Sequence, residues 1–171
     1  MVRRLALWKA RRVAKRLSDR ATVQGRPYAW VVGADTVVVS SAGRILGKPC
    51  TTARARRMLG ALSGTWHRVY TGVAVIETPG GRETAGVAVA RVKMRRLSPT
   101  EIARLAGRHR DKAGGYAVQA RRDPVIEKVT GEYEAVVGLS LRTLRRLLGL
   151  FRSRPGRRGR APSRRASETR V

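Results

Sequence analysis

Acidic residues are scarce in this sequence. Its 171 residues hold 11 Asp and Glu against 38 Lys and Arg, a formal charge of +27. Cysteine is scarcer still. Cys50 stands alone, so no internal disulfide can form, and no Cys/His cluster has zinc-ligand spacing. A disulfide scaffold and a zinc finger are thereby excluded, and this cysteine usage fits a reducing compartment, which gives a cytoplasmic location as the expectation. Long apolar runs are missing as well. The longest, such as residues 28–34, are broken by a charge well short of the roughly 18 residues a membrane span needs. Aromatic residues make up 5% of the chain and do not alternate with Lys or Arg in the way that stacks bases. What is present suffices for a core: at 42% hydrophobic, a chain of this length can bury one domain.

The positive charge is spread unevenly. Residues 152–171 carry eight Arg and one Glu, a net +7, among Pro, Gly and Ser, and are expected to be a disordered tail. The first 20 residues also net +7, but Ala6, Ala10, Val13, Ala14 and Leu17 recur there at helical spacing. That spacing predicts an amphipathic helix with a basic wet face. An Arg-rich, acid-poor helix at this position also suits an organelle-targeting peptide, but the segment is poor in Ser and runs straight into the folded pattern. Basic residues elsewhere sit on nearly every segment rather than in one stripe, which favours a solvated basic surface over a dedicated nucleic-acid face. Non-specific, salt-sensitive binding of nucleic acid through the tail is compatible with it.

The rest of the chain alternates between strand and helix signals. Residues 28–39 form an apolar, β-branched run that reads as a buried strand interrupted by Asp35. Thr51 or Thr52 caps a helix over residues 53–62, which Ser63 and Gly64 end. Residues 68–77 and 83–95 read as a hairpin closed by Pro79, Gly80, Gly81 and Arg82. Ser98, Pro99, Thr100 and Glu101 form a capping box with Pro at the first helical position, so a helix runs on to Leu105 or Ala106. A short strand is expected around residues 124–129, and a last helix over residues 140–151 with Leu141, Leu144, Leu147, Leu148 and Phe151 on one face. The pattern gives an α/β or α+β fold with a mixed sheet and no internal repeat.

Three segments break local rules in ways that packing does not require. Gly33, Ala34, Asp35 and Thr36 place an acid in a buried strand, where an unpaired carboxylate would cost several kcal/mol unless it meets a cation, a metal or water. Asp35 could equally end the strand or pair with an Arg. Gly43 through Pro49 resembles a phosphate loop only superficially, since no Ser or Thr follows Lys48. Lys48 can approach a phosphate there, or be a solvated turn lysine. Asp111 through Gln119 combines an ion-pair candidate in Asp111 and Lys112 with two glycines and an amide. Gln119 both donates and accepts, as reading a pyrimidine edge demands, or it bonds backbone within the loop. His67 and His109 lack an acid or nucleophile at a recognisable spacing and read as structural. No Ser and no Cys sits in a nucleophile signature.

Taken in order, these segments resemble the Maf family of nucleoside triphosphate pyrophosphatases. The matching residues are Val31 through Val38, Ile45-Leu46-Gly47-Lys48-Pro49, Ala55-Arg56-Arg57-Met58-Leu59 with Leu62-Ser63-Gly64, His67 with Val69-Tyr70-Thr71-Gly72-Val73, Asp111-Lys112-Ala113-Gly114 with Tyr116 and Gln119, and Val136-Val137-Gly138-Leu139. The resemblance covers about residues 3–151. Asp35-Thr36 together with Gln119 looks like the branch acting on dTTP and UTP rather than on 7-methyl-GTP.

The resemblance implies an α/β (α+β), ITPase-like fold and hydrolysis of the α–β phosphoanhydride, with Mg or Mn as the divalent cofactor. It makes Asp35 both the proton acceptor that activates water and a metal ligand. Lys48 and Lys112 are then the charge clamp on the triphosphate, and Thr36 and Gln119 the residues that select the base. A homodimer is compatible with it. Arg4-Leu5-Ala6-Leu7-Trp8-Lys9-Ala10 resembles a helix that in the family follows a strand and a Ser-x-Ser-Pro-Arg-Arg phosphate loop. The expectation is therefore a chain lacking that N-terminal phosphate-binding segment, with an exposed sheet edge. Other departures are Ala117 and Ala120 in place of Gly, Arg108 in place of an acid, Ala135 in place of Asn and Ser140 in place of Pro. The alternative to an enzyme is an impaired remnant that binds nucleotide or, through its basic surface, nucleic acid.

Overall fold

A computed structural model describes residues 1–19, 29–78, 80–118 and 125–152. Helix α1 (Val2–Asp19) is followed by strands β1 (Ala29–Val39) and β2 (Ile45–Leu46), and then by helix α2 (Thr52–Leu62). Two long strands come next, β3 (Trp66–Thr78) and β4 (Glu83–Met94), followed by helix α3 (Pro99–Leu105) and a short 3-10 turn (Ala113–Gly115). Strand β5 (Ile126–Gly131) and helices α4 (Tyr133–Val137) and α5 (Leu141–Arg152) complete the order. The strands lie in one sheet in the order β2-β1-β3-β4-β5. The sequence suggested a mixed sheet; all four ladders among the described residues are antiparallel. The short β3–β4 connection requires this of its own ladder, because a tight connection joins only antiparallel neighbours.

Local signals set the helix starts where the sequence placed them. The Thr51 side chain accepts from the Arg54 N–H and caps α2. Ser98 and Glu101 close a reciprocal capping box on α3, with Pro99 in its first turn. Bonds from Arg95 and from the Ser98 backbone pull the Glu101 carboxyl down to a pKa of about 2. The fifth strand starts at Ile126 rather than at residue 124, which lies outside the described residues, as do Tyr28, Pro79 and the tail from residue 153.

Helix α1 lies against the sheet along a stripe of small residues. Val2, Ala6, Ala10 and Ala14, each four apart, are the buried positions, whereas Val13, expected on the same face, is exposed. Two glycines in the sheet permit the close approach. A Cβ at Gly33 would lie 2.3 Å from the Ala6 carbonyl oxygen, and one at Gly72 would lie 2.5 Å from the Val2 backbone. Residues paired across a ladder share a face. Asp35 pairs with Gly72, so its side chain is on the α1 face; Thr36 pairs with Thr71, and both are on the other.

That second face carries the larger core. At one end Val38, Val69, Val92 and Met94 meet Met58, Leu59, Leu62, Leu105 and Tyr116. In the middle Ala88 and Ala90 meet Ala135 of α4. At the far end Val73 and Val75 meet Leu147 and Phe151 of α5, while Leu141, expected on that apolar face, is exposed. Strand β2 pairs with β1 only at Val38 and Val39. Over the remainder of its length the outer edge of β1 has no strand beside it among the described residues.

Candidate active site

The open edge of β1 is the floor of a cleft of about 270 Å³. Ala34, Asp35 and Thr36 come from β1, Lys9 from α1, Lys48 from the segment after β2, and Asp111, Lys112 and Tyr116 from the loop around the 3-10 turn. Val136, Val137 and Gly138 close it from the end of α4. Because the strand edge is bare there, side chains from both faces of the sheet reach one space.

Asp35 stands in the middle of β1, not at its end, and it is not unpaired. Lys9 Nζ lies 2.6 Å from Asp35 Oδ1 and 3.3 Å from the Ala34 carbonyl oxygen. Asp35 Oδ2 has no hydrogen-bond partner among the described residues, and Asp35 is one of the residues that line the cleft. The Asp35 side chain is 16% exposed and that of Lys9 49%. Sequence reasoning missed Lys9 as a partner of Asp35. Its one signal was a cation beside the buried Ala6 and Ala10 on α1.

Lys48 and Lys112 reach the same cleft because their loops are tied together. The Gly114 N–H donates to the Gly47 carbonyl at 3.1 Å. Gly114, at φ 77, sits so close to the Val38 side chain that a Cβ would meet it at 3.2 Å. Lys112 is ion-paired with Asp111, whose carboxyl it holds below the usual carboxylate range. Beneath this loop the Tyr116 hydroxyl lies 2.6 Å from His67 Nε2, and the two rings meet edge-on at 5.4 Å. Burial lowers the His67 imidazole to a pKa of about 4 and pushes the Tyr116 hydroxyl upward. His67 Nδ1 has no partner among the described residues. This neutral, buried histidine supports the loop that carries Lys112, in keeping with a structural reading.

Thr36 lies 2.7 Å, oxygen to oxygen, from Thr71, which in turn donates to the Ala135 carbonyl at 2.7 Å. Of the residues expected at the site, the structure thus brings together Asp35, Thr36, Lys48 and Lys112. Gln119 lies outside the described residues.

The donor set bears on a metal. Among the described residues no three His, Cys, Asp or Glu converge. Asp35 and Asp111 are the two carboxylates lining the cleft, each paired with a lysine, Lys9 and Lys112 respectively. A divalent ion in this cleft would find few protein donors, Asp35 among them, and would add positive charge there.

The sequence profile of the family described as Maf-like protein matches residues 1–151. The chain belongs to this family. Among curated Maf-like relatives, a dTTP/UTP pyrophosphatase of Moorella thermoacetica is 45% identical over 152 residues, covering 88% of this chain and 73% of the relative. One of Elusimicrobium minutum is 38% identical over 151 residues, with 88% and 77% covered. One of Gloeobacter violaceus is 44% identical over 142 residues, with 81% and 73% covered. In this Maf-like chain Lys9, Lys48 and Lys112 line one cleft with Asp35 and Asp111, a cationic balance suited to a polyanion. No helix among the described residues is long and apolar enough to cross a membrane.

Proposed function

We propose that this chain is a nucleoside triphosphate pyrophosphatase acting on dTTP and UTP. One observation carries the reading: Asp35, paired with Lys9 through Oδ1 alone, lines the same cleft as Lys48 and Lys112, in a chain whose relatives are named for this activity.

In the reaction, water attacks the α-phosphorus, the α–β phosphoanhydride bond breaks, and pyrophosphate leaves a nucleoside monophosphate. Asp35 Oδ2 accepts the proton of the attacking water, while Lys9 on Oδ1 holds the carboxylate in position. Lys48 and Lys112 bind the triphosphate oxygens and offset the charge that builds on the leaving group. Thr36 and Gln119 contact the base. A divalent metal, when bound by Asp35 and the phosphates, supplies further neutralisation of the triphosphate.

Pyrophosphate release from dTTP, UTP and 7-methyl-GTP with Mg or Mn is the test. Release from the first two that disappears in Asp35→Asn supports the reading. Absence of release from all three by folded protein overturns it, and favours the alternative of a nucleotide- or nucleic-acid-binding remnant.

A further inference from the structure

Thr71 is fully buried on β3, at 0% exposure, and the reaction above gives its hydroxyl nothing to do. That hydroxyl has one proton and two oxygen neighbours, the Ala135 carbonyl and Thr36 Oγ1, each at 2.7 Å. A carbonyl only accepts. The Thr71 proton must therefore lie toward Ala135, since otherwise two buried oxygens would face each other at 2.7 Å with no proton between them. The bond between the two threonines then has one possible direction: Thr36 donates and Thr71 accepts. With its proton turned inward, Thr36 offers the cleft lone pairs alone. Thr36 is one of the residues that line the cleft, and its neighbour there, Gly138, has no side chain to lay over the hydroxyl, a Cβ at that position falling 3.7 Å from Thr36 Oγ1.

We infer that Thr71 is a positioning residue for base selection: by fixing the direction of this relay it makes Thr36 a pure acceptor, matched to the N3–H of uracil and thymine. The inference rests on the nucleotide reading above and deepens it. Uracil and thymine share the N3–H and differ only at C5, so one acceptor serves both bases. Cytosine carries a lone pair at N3 and would set acceptor against acceptor. A site built this way rejects the wrong edge more strongly than shape alone does.

The test is kcat and KM for UTP, CTP and N3-methyl-UTP with the unaltered chain, Thr71→Ser and Thr71→Val. The unaltered chain and Thr71→Ser are expected to favour UTP strongly over the other two. Thr71→Val keeps the shape and removes the acceptor, which frees the Thr36 proton to turn toward the cleft. The ratio of kcat/KM between UTP and CTP should then fall about tenfold or more. A purely structural role would lower both substrates together, so an unchanged ratio in folded Thr71→Val overturns the inference. If that variant does not fold, the unaltered chain decides, because turnover of N3-methyl-UTP equal to that of UTP also overturns it. Failure to hydrolyse UTP at all is a different result, which removes the nucleotide reading and this inference with it.

Discussion

Asp35 and Lys9 are 26 residues apart in sequence and 2.6 Å apart in the fold. Replacing Asp35 by Asn keeps the shape and removes the proposed proton acceptor, so kcat should fall by about 10²- to 10⁴-fold while the melting temperature changes little. Lys9→Met should lower kcat while the protein stays folded, because this half-exposed lysine orients the carboxylate without filling the core. His67 gives a prediction in pH. Its imidazole titrates near 6.5 when unfolded and about 4 when folded. The stability it contributes is therefore full above pH 6.5 and is lost as pH falls toward 4, on the order of 3 kcal/mol at the limit. Urea titrations between pH 7 and 4 should show this slope, and His67→Gln should lack it. At this scale the sequence made Asp35 conspicuous, since an acid inside an apolar strand demands a reason. The identity of its partner was hidden, because that depends on how α1 lies across the sheet. Thr71 gave no signal at all, a threonine being ordinary in a strand.

Helix α1 reaches Asp35 only because Gly33 and Gly72 leave its backbone room. Gly33→Ala puts a methyl group 2.3 Å from the Ala6 carbonyl. The helix must lift, and activity should drop through loss of the Lys9 contact even where circular dichroism shows the helix intact. By contrast Ser98→Ala acts far from the cleft. It removes the cap of α3 and should lower stability by about 1 kcal/mol, read as a shifted urea midpoint with kcat unchanged. Elements with local signatures were legible in advance: α2 by Thr51, α3 by its capping box, and the β3–β4 hairpin by alternation around a Pro-Gly-Gly-Arg turn. Helix α4 was not, and the reason is physical. Five residues carry no readable period, and this turn of helix is held by its tertiary seat, with Ala135 buried on the sheet and its carbonyl bound by Thr71. The antiparallel sense of the ladders other than β3–β4 escaped for a similar reason, since their pairing is decided between distant segments.

Over the whole molecule the charge of +27 acts as a field rather than as contacts. It should draw a triphosphate toward the cleft, so KM for UTP should rise with added salt more steeply than kcat changes. The same field has a second effect. The outer side of β1 is a bare strand edge among the described residues, flanked by the exposed Trp30 and Val32. Such an edge is a template on which another copy can add. Mutual repulsion between highly cationic molecules should oppose the meeting of two such edges, which makes solubility a question of colloid chemistry as much as of folding. A polyanion such as heparin, titrated to charge neutrality, should turn a clear solution cloudy without unfolding it, and further excess should clear it again as the complexes become negatively charged.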